Sequence, residues 1–414
     1  MTIFRYSALC IRRATKTFWS DILSRFAALA QLASHCQNNK CRSGSGGRIV
    51  IAHRHGKTDK VRRAEHRHNV TIRDVAGTLD LSITTVSRAL GGYSDVGAET
   101  RRRVVEAARR LGYRPNRNAQ RLVTRRTNVL AWIQSDNDRI FVDPHFVEVL
   151  AGVIRSAREA KYDVILTSDT PERQISVYDR YVRDNSVDGF VLDLPRLDDK
   201  RIEFLIENGR PFVVHGRGHG SARYNWVDID NFGIFRALAR LMIDNGHTRI
   251  AFVNGDEQYA FAADRRRGVE AALDMLGLPP DTVRIYNTSH PMGESGYDMT
   301  ARALEEVAPS AILYSSALMA VEAQAALIKA GHVIGETIAI ASMDDRLHHL
   351  DLAPLDGRIT LARSSLREAG RILATELIRA CEGADEARGV IVPVEFVLAD
   401  GFDGSRLLPV EGRR

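Results

Sequence analysis

Several stretches of this sequence bring together side chains able to bind or react. In residues 70–90, VTIRDVAGTLDLSITTVSRAL, the residues Ser82, Ile83, Thr84, Ser87 and Arg88 stand among apolar residues at helical spacing. An arginine in that setting offers two parallel donors, the match for the paired acceptors on a guanine edge. Farther on, Arg265 opens an R-x-x-G with Gly268. At the mouth of a cleft a guanidinium is a rigid planar donor fork. Asp344 follows the apolar run IAIASM and Asp198 follows VLDLPRL, so each carboxylate stands beyond an expected strand. The i, i+2 spacing of His53, His55, His66 and His68 places them on no common helix face, so no metal site is expected.

The elements that must position these groups follow from periodicity. Ile72, Val75, Ala76 and Leu79 predict one amphipathic helix of two turns. Asp80 stands at the turn, where a left-handed conformation is needed, and Ser82 is a good N-cap for a second helix, 83–90. Val86, Ala89 and Leu90 face inward, leaving Ile83, Thr84, Ser87 and Arg88 outside. A short helix, a tight turn and a second short helix with a polar outer face form a helix-turn-helix. Thr100, Val104, Val105, Ala108 and Leu111 hold a third helix against the pair, with Arg101, Arg102, Arg103, Arg109 and Arg110 on its exterior as candidate phosphate contacts. Gly112 ends that helix, Pro115 forbids its continuation, and Asn116 caps a further short helix through Leu122.

Charge is divided along the chain. Residues 1–66 carry 13 Lys and Arg against 3 Asp and Glu, residues 67–127 carry 13 against 5, and residues 128–414 carry 32 against 44. A basic front on an acidic body points to a polyanionic partner for the front alone. The first 66 residues are an Arg-rich extension, expected to be disordered or absent from the native protein; their composition is also that of an organelle transit peptide. Cys10, Cys36, Cys41 and Cys381 form no disulfide framework. No apolar run approaches the roughly 18–20 residues of a membrane span.

From Thr127 the pattern changes. NVLAWIQSD, YDVILTSD, DGFVLDLP, RPFVVHGR, RIAFVNGD, SAILYSS and TIAIASMD are short β-branched apolar runs, most of them separated by helical stretches. That alternation predicts parallel sheets covered by helices on both faces, and the length of the region predicts two lobes. Ligands of such sheets bind beyond the carboxyl ends of the strands. Asp230 and Asn231 are expected to cap a helix after residue 229, mainly as structure.

TIRDVA, the S-x-x-TVSRAL block, V-x-x-x-TR and LGYRPN-x-x-AQ-x-L occur in the order and spacing of the lactose-repressor/galactose-repressor family, and the chain resembles that family from residue 70 to about 408. The resemblance implies a helix-turn-helix DNA-binding domain (67–114), a hinge helix and linker (115–127) and a two-lobed α/β sensor like the periplasmic sugar-binding proteins (128–408). It implies base reading by Ile83, Thr84 and Arg88, phosphate positioning by Ser82, Ser87, Thr100 and Asn116, and a hinge in which Leu122 wedges into a minor-groove step beside the small Ala119. Arg265 and Asp344 match effector-binding positions, Phe146 matches a ring that stacks on the ligand, and Asp198 is a further candidate. Departures are Asp80 for the turn glycine, Leu79 for a small residue, Gly97 for the usual serine, and Ser315-Ser316 where an Asn-Asp pair is usual. A hydroxyl is a shorter, weaker donor than an amide, so this pair implies a changed or decayed effector site.

The resemblance implies a homodimer on a palindromic operator, controlled by a small sugar-like effector in the bacterial cytoplasm, with no cofactor. The chain ends LLPVEGRR without a leucine heptad, so tetramerisation through a C-terminal helix is not expected. Two rivals are weaker. A solute-binding protein would carry an export signal where the helix-turn-helix stands. An enzyme would need a motif such as H-E-x-x-H or G-x-S-x-G, and neither occurs.

Overall fold

The computed structural model describes residues 70–113, 126–135, 142–218, 223–289, 294–384, 386–405 and 407. The extension 1–66 and most of the expected hinge 115–127 lie outside the described residues, and Asn116, Ala119 and Leu122 lie there too.

Three helices build the basic unit: α1 (Ile72–Leu79), α2 (Ile83–Leu90) and α3 (Ala98–Leu111). The Asp74 carboxylate closes the first turn of α1 by accepting from the Thr71 backbone N–H at 2.7 Å. Asp80 adopts the left-handed conformation (φ 55°, ψ 45°), which turns the chain between α1 and α2. Ser82 Oγ accepts from the Thr85 N–H at 3.0 Å and starts α2. Gly112, at φ 71°, stops α3. Val75, Ala76, Val86, Ala89, Val104, Ala107 and Ala108 form the shared core. Val105, expected inside, is 51% exposed; the helix repeat turns Ala107 and Ala108 inward with Val104 and carries residue 105 out of that stripe.

The first lobe runs β1 (Val129–Ser135), α4 (Pro144–Glu159), β2 (Asp163–Asp169), α5 (Gln174–Arg183), β3 (Gly189–Asp193), α6 (Lys200–Glu207), β4 (Phe212–His215) and β5 (Asn225–Asp228). The chain then crosses to the second lobe. This comprises α7 (Asn231–Asp244), β6 (Ile250–Asn254), α8 (Ala260–Leu276), β7 (Val283–Asn287), α9 (Ser295–Val307), β8 (Ala311–Tyr314), α10 (Ala317–Glu322), α11 (Gln324–Lys329), β9 (Ala339–Asp344) and β10 (Thr360–Arg363). It crosses back for α12 (Leu366–Cys381) and β11 (Gly389–Ile391), and again for β12 (Glu395–Val397). The sheet orders are β11-β5-β4-β3-β1-β2 and β12-β10-β9-β8-β6-β7, every pairing parallel except β10 with β12. All seven strands expected from the apolar runs are present, and the two sheets are the two lobes.

Two close helix crossings place the elements around the cleft. A Cβ on Gly152 of α4 would collide with the Arg367 carbonyl, and one on Gly370 of α12 with the Val149 carbonyl, so α4 and α12 touch backbone to backbone. In the second lobe a Cβ on Gly268 would collide with the Phe232 carbonyl. That contact draws α8 onto α7 and brings Arg265, one turn earlier, beside Asn231. Among the described residues no helix is long and apolar enough to cross a membrane.

Candidate functional site

A cavity of about 160 Å³ lies between the lobes, beyond the carboxyl ends of the strands. Its second-lobe wall is organised by Arg265, which is 8% exposed. Arg265 Nε donates to Asn231 Oδ1 and Nη1 donates to the Ser315 carbonyl, both at 2.8 Å. The rings of Phe235 and Phe261 each lie 4.9 Å from the guanidinium carbon, one of the two lining the cavity. The plane of the fork is thereby fixed, and Nη2 has no protein partner among the described residues. Burial pulls the guanidinium pKa down, while the carboxylates of Asp345 and Asp228 oppose that pull.

His145, the second residue of α4, spans the two lobes. Asp143 caps α4, accepting from the His145 backbone N–H, and its Oδ1 lies 2.9 Å from His145 Nδ1. His145 Nε2 reaches into the second lobe, 2.9 Å from Ser316 Oγ and 3.4 Å from Asp345 Oδ2. Burial opposes a charge on this ring, but the hydrogen bonds and charges of Asp143 and Asp345 outweigh it and push the pKa up to about 10. His145 is therefore an imidazolium at neutral pH. A second polar link joins the lobes nearby: the His348 N–H donates to Glu148 Oε1 at 3.1 Å, and Glu148 is held by Arg367 Nε at 2.9 Å.

Asp228, at the end of β5, completes the polar lining. Burial pushes its carboxyl up to about 6 despite the Arg217 guanidinium 3.0 Å away. Asn231 Nδ2 donates to Asp228 Oδ1 at 3.0 Å, so Asn231 ties Asp228 to Arg265. Burial keeps His215, at the end of β4, neutral. Leu194, Ile229, Phe261, Met343 and Val392 supply the apolar surface.

Of the expected ligand residues, Arg265 and Ser315 line this cavity and Phe146, Asp198 and Asp344 do not. Phe146 is 6% exposed in the first-lobe core, edge-on to Trp132 at 5.1 Å; the adjacent His145 takes the cleft position. Asp198 is exposed, while its neighbour Asp199 is buried against Arg201. Asp344 is paired with Arg363 at 3.0 Å on the neighbouring strand, and of these two adjacent carboxylates it is Asp345 that lines the cavity. The physical reason is strand alternation: Asp345 shares the side of Met343, and Asp344 faces the other way. Asn231, expected to be structural, belongs to the site, whereas Asp230 does cap α7, accepting from the Gly233 N–H at 3.0 Å. Sequence reasoning also missed His145, His215 and Asp228. The last two end strands, and the Asp-Pro-His start of α4 marked the third.

On the basic unit, Ile83, Thr84, Ser87 and Arg88 are exposed together on one face of α2. Ser82 is exposed with its hydroxyl engaged in the cap, and Thr100 is half-buried on α3. Arg101 Nη2 donates to the Tyr93 and Val96 carbonyls and so braces the loop between α2 and α3. Arg102 pairs with Glu99, and Arg103, Arg109 and Arg110 are exposed.

Comparison with known proteins agrees with both halves. Residues 71–116 match the model of bacterial regulatory proteins of the lacI family, and residues 239–398 match a periplasmic binding protein-like domain. The transcriptional regulator AglR of Rhizobium meliloti is 41% identical over 75% of this chain and 87% of its own. RafR of Escherichia coli is 33% identical over 69% and 85%. A solved complex of the regulator CelR with cellobiose is 26% identical with a TM-score of 0.57, covering 80% of this chain and 98% of its own. The lac repressor dimer bound to operator shares the fold, at 22% identity and a TM-score of 0.67 over 79% and 97%. These relatives are transcriptional regulators rather than enzymes, and this chain belongs to the lacI family of bacterial DNA-binding transcriptional regulators.

Proposed function

We propose that the protein is a cytoplasmic repressor that binds a palindromic operator as a homodimer and responds to a neutral, sugar-like effector in the interlobe cavity. The observation that carries this reading is Arg265, held at Nε and Nη1 and flanked by two rings, lining a cavity between the lobes with no partner for Nη2 among the described residues. Preorganised donors of this kind suit hydroxyls, and Asp345 and Asp228 supply acceptors on the same lining. The apolar lining suits the C–H face of a sugar ring.

Charge and size narrow the effector. Both cations of the lining stand near carboxylates of the protein: His145 beside Asp143 and Asp345, Arg265 within the influence of Asp345 and Asp228. Among the described residues of the lining no positive charge is left in excess for a phosphate or a carboxylate ligand. The cavity of about 160 Å³ has room for a small ligand of the size of a sugar ring. The relatives AglR, RafR and CelR are regulators, and CelR has been solved with cellobiose, which supports a sugar as the ligand class.

Effector bound across the lobes favours one lobe arrangement over the other, and only that difference in affinity can switch operator binding. A homodimer matches a two-fold operator. Val147 and Ile154, one heptad apart and nearly half exposed on the outer face of α4, give the first lobe an apolar stripe for a second copy. Selection from randomised DNA with the full chain tests the reading. A palindromic consensus with a half-site for each α2 is expected, and an asymmetric consensus, or none, would overturn it.

A further inference from the structure

Arg88 does not hang free from α2. Its Nε donates to Asp95 Oδ2 at 2.8 Å, and its Nη2 lies 2.7 Å from the same oxygen in an ion pair. Its guanidinium carbon lies 4.7 Å over the Tyr93 ring. All three side chains are about half exposed, so the arrangement sits at the surface that presents Ile83, Thr84 and Ser87.

The loop that supplies both partners is itself braced. Gly92 takes φ 78°, a conformation that returns the chain toward α2, and the Tyr93 N–H donates to the Arg88 carbonyl at 3.1 Å. Val96 is buried in the core of the unit, and Arg101 Nη2 donates to the carbonyls of Tyr93 and Val96. Asp95 thus stands on a fixed support.

A guanidinium carries five N–H donors in one plane. The carboxylate takes the side formed by Nε and Nη2. The end formed by Nη1 and the outer N–H of Nη2 remains, two parallel donors at the spacing of guanine O6 and N7. The Tyr93 ring fixes the remaining rotation by holding the face of the plane. A carboxylate beside a DNA backbone repels phosphate, so its place here cannot be explained by affinity.

We propose that Asp95, with Tyr93, is a positioning residue that sets the base specificity of Arg88: it holds the guanidinium end-on for guanine and keeps it from swinging to a phosphate. This rests on the reading of α2 as the helix that enters the major groove. Without Asp95, Arg88 would still attract DNA but would no longer discriminate.

The test compares wild type, Arg88→Ala, Asp95→Ala and Asp95→Asn in randomised-site selection, followed by affinities for the selected operator, for base-substituted operators and for non-specific duplex. Arg88→Ala identifies the base pair that Arg88 reads. At that base pair, Asp95→Ala should lower the preference for guanine by roughly tenfold and leave other positions unchanged. Its affinity for non-specific duplex should stay equal to wild type or rise, a sign that damage to the fold would not give. Asp95→Asn, which keeps an acceptor but loses the charge, should fall between, and it carries the test if the alanine variant melts early. Full wild-type preference in both Asp95 variants, at a base pair where Arg88→Ala loses it, would overturn the proposal while sparing the reading of α2. No change in any preference on Arg88→Ala would overturn both.

Discussion

Replacing His145 with Gln removes the imidazolium that joins α4 to Ser316 and Asp345 while keeping a side chain able to hydrogen-bond. A hydrogen bond to a charged group contributes about 2 kcal/mol. Losing one that bridges the lobes should shift the opening equilibrium of the cleft by about 30-fold. The His348 N–H reports on this directly, because its acceptor, Glu148, lies on the other lobe. Amide hydrogen exchange of the segment around His348 should accelerate by about that factor in the variant. The Ser315 N–H, bonded to Val253 within the second lobe, should exchange as in wild type. The effect should also depend on pH. The groups facing His145 are Asp143, Ser316 and Asp345, and His215 and Arg265 line the same cavity. The ring's pKa is raised from 6.5 to about 10 in the closed cleft. A raised pKa makes the bridge fully effective below about pH 6.5, weaker as pH rises, and absent above about 10. The gap between wild type and variant should shrink across that window. Equal exchange at His348 in both proteins at pH 6.5 would refute the argument.

Three further outcomes follow from the same geometry. Asp344→Asn breaks a buried pair with Arg363 and should lower stability by about 3 kcal/mol in denaturant unfolding. Asp345→Asn should instead weaken the response of operator binding to sugars, because its carboxylate lines the cavity. Phe146→Ala opens a void against Trp132 and should cost about 3–5 kcal/mol of stability, read in the same unfolding experiment.

The order of strands and helices was legible because each apolar run matches one strand, and the left-handed turn at Asp80 and the stop at Gly112 follow from residue chemistry. The site was legible by segment and not by residue. The run ending in Met343-Asp344-Asp345 marks a strand end, but which carboxylate enters the cavity depends on the face that the sheet turns to it. The pair His145-Phe146 poses the same question on a helix, and the aromatic residue went to the core because Trp132 waits there. Asp95 and Arg88 lie seven residues apart across a loop, a contact that no periodicity announces.

The most direct test of the central claim is operator affinity measured against a panel of neutral monosaccharides, for wild type and for Arg265→Ala. A coupled ligand should change wild-type affinity by roughly 5- to 150-fold. The variant should bind operator as wild type does without sugar and lose the response to it. A response that survives in Arg265→Ala, or no response of wild type to any neutral sugar, would contradict the account.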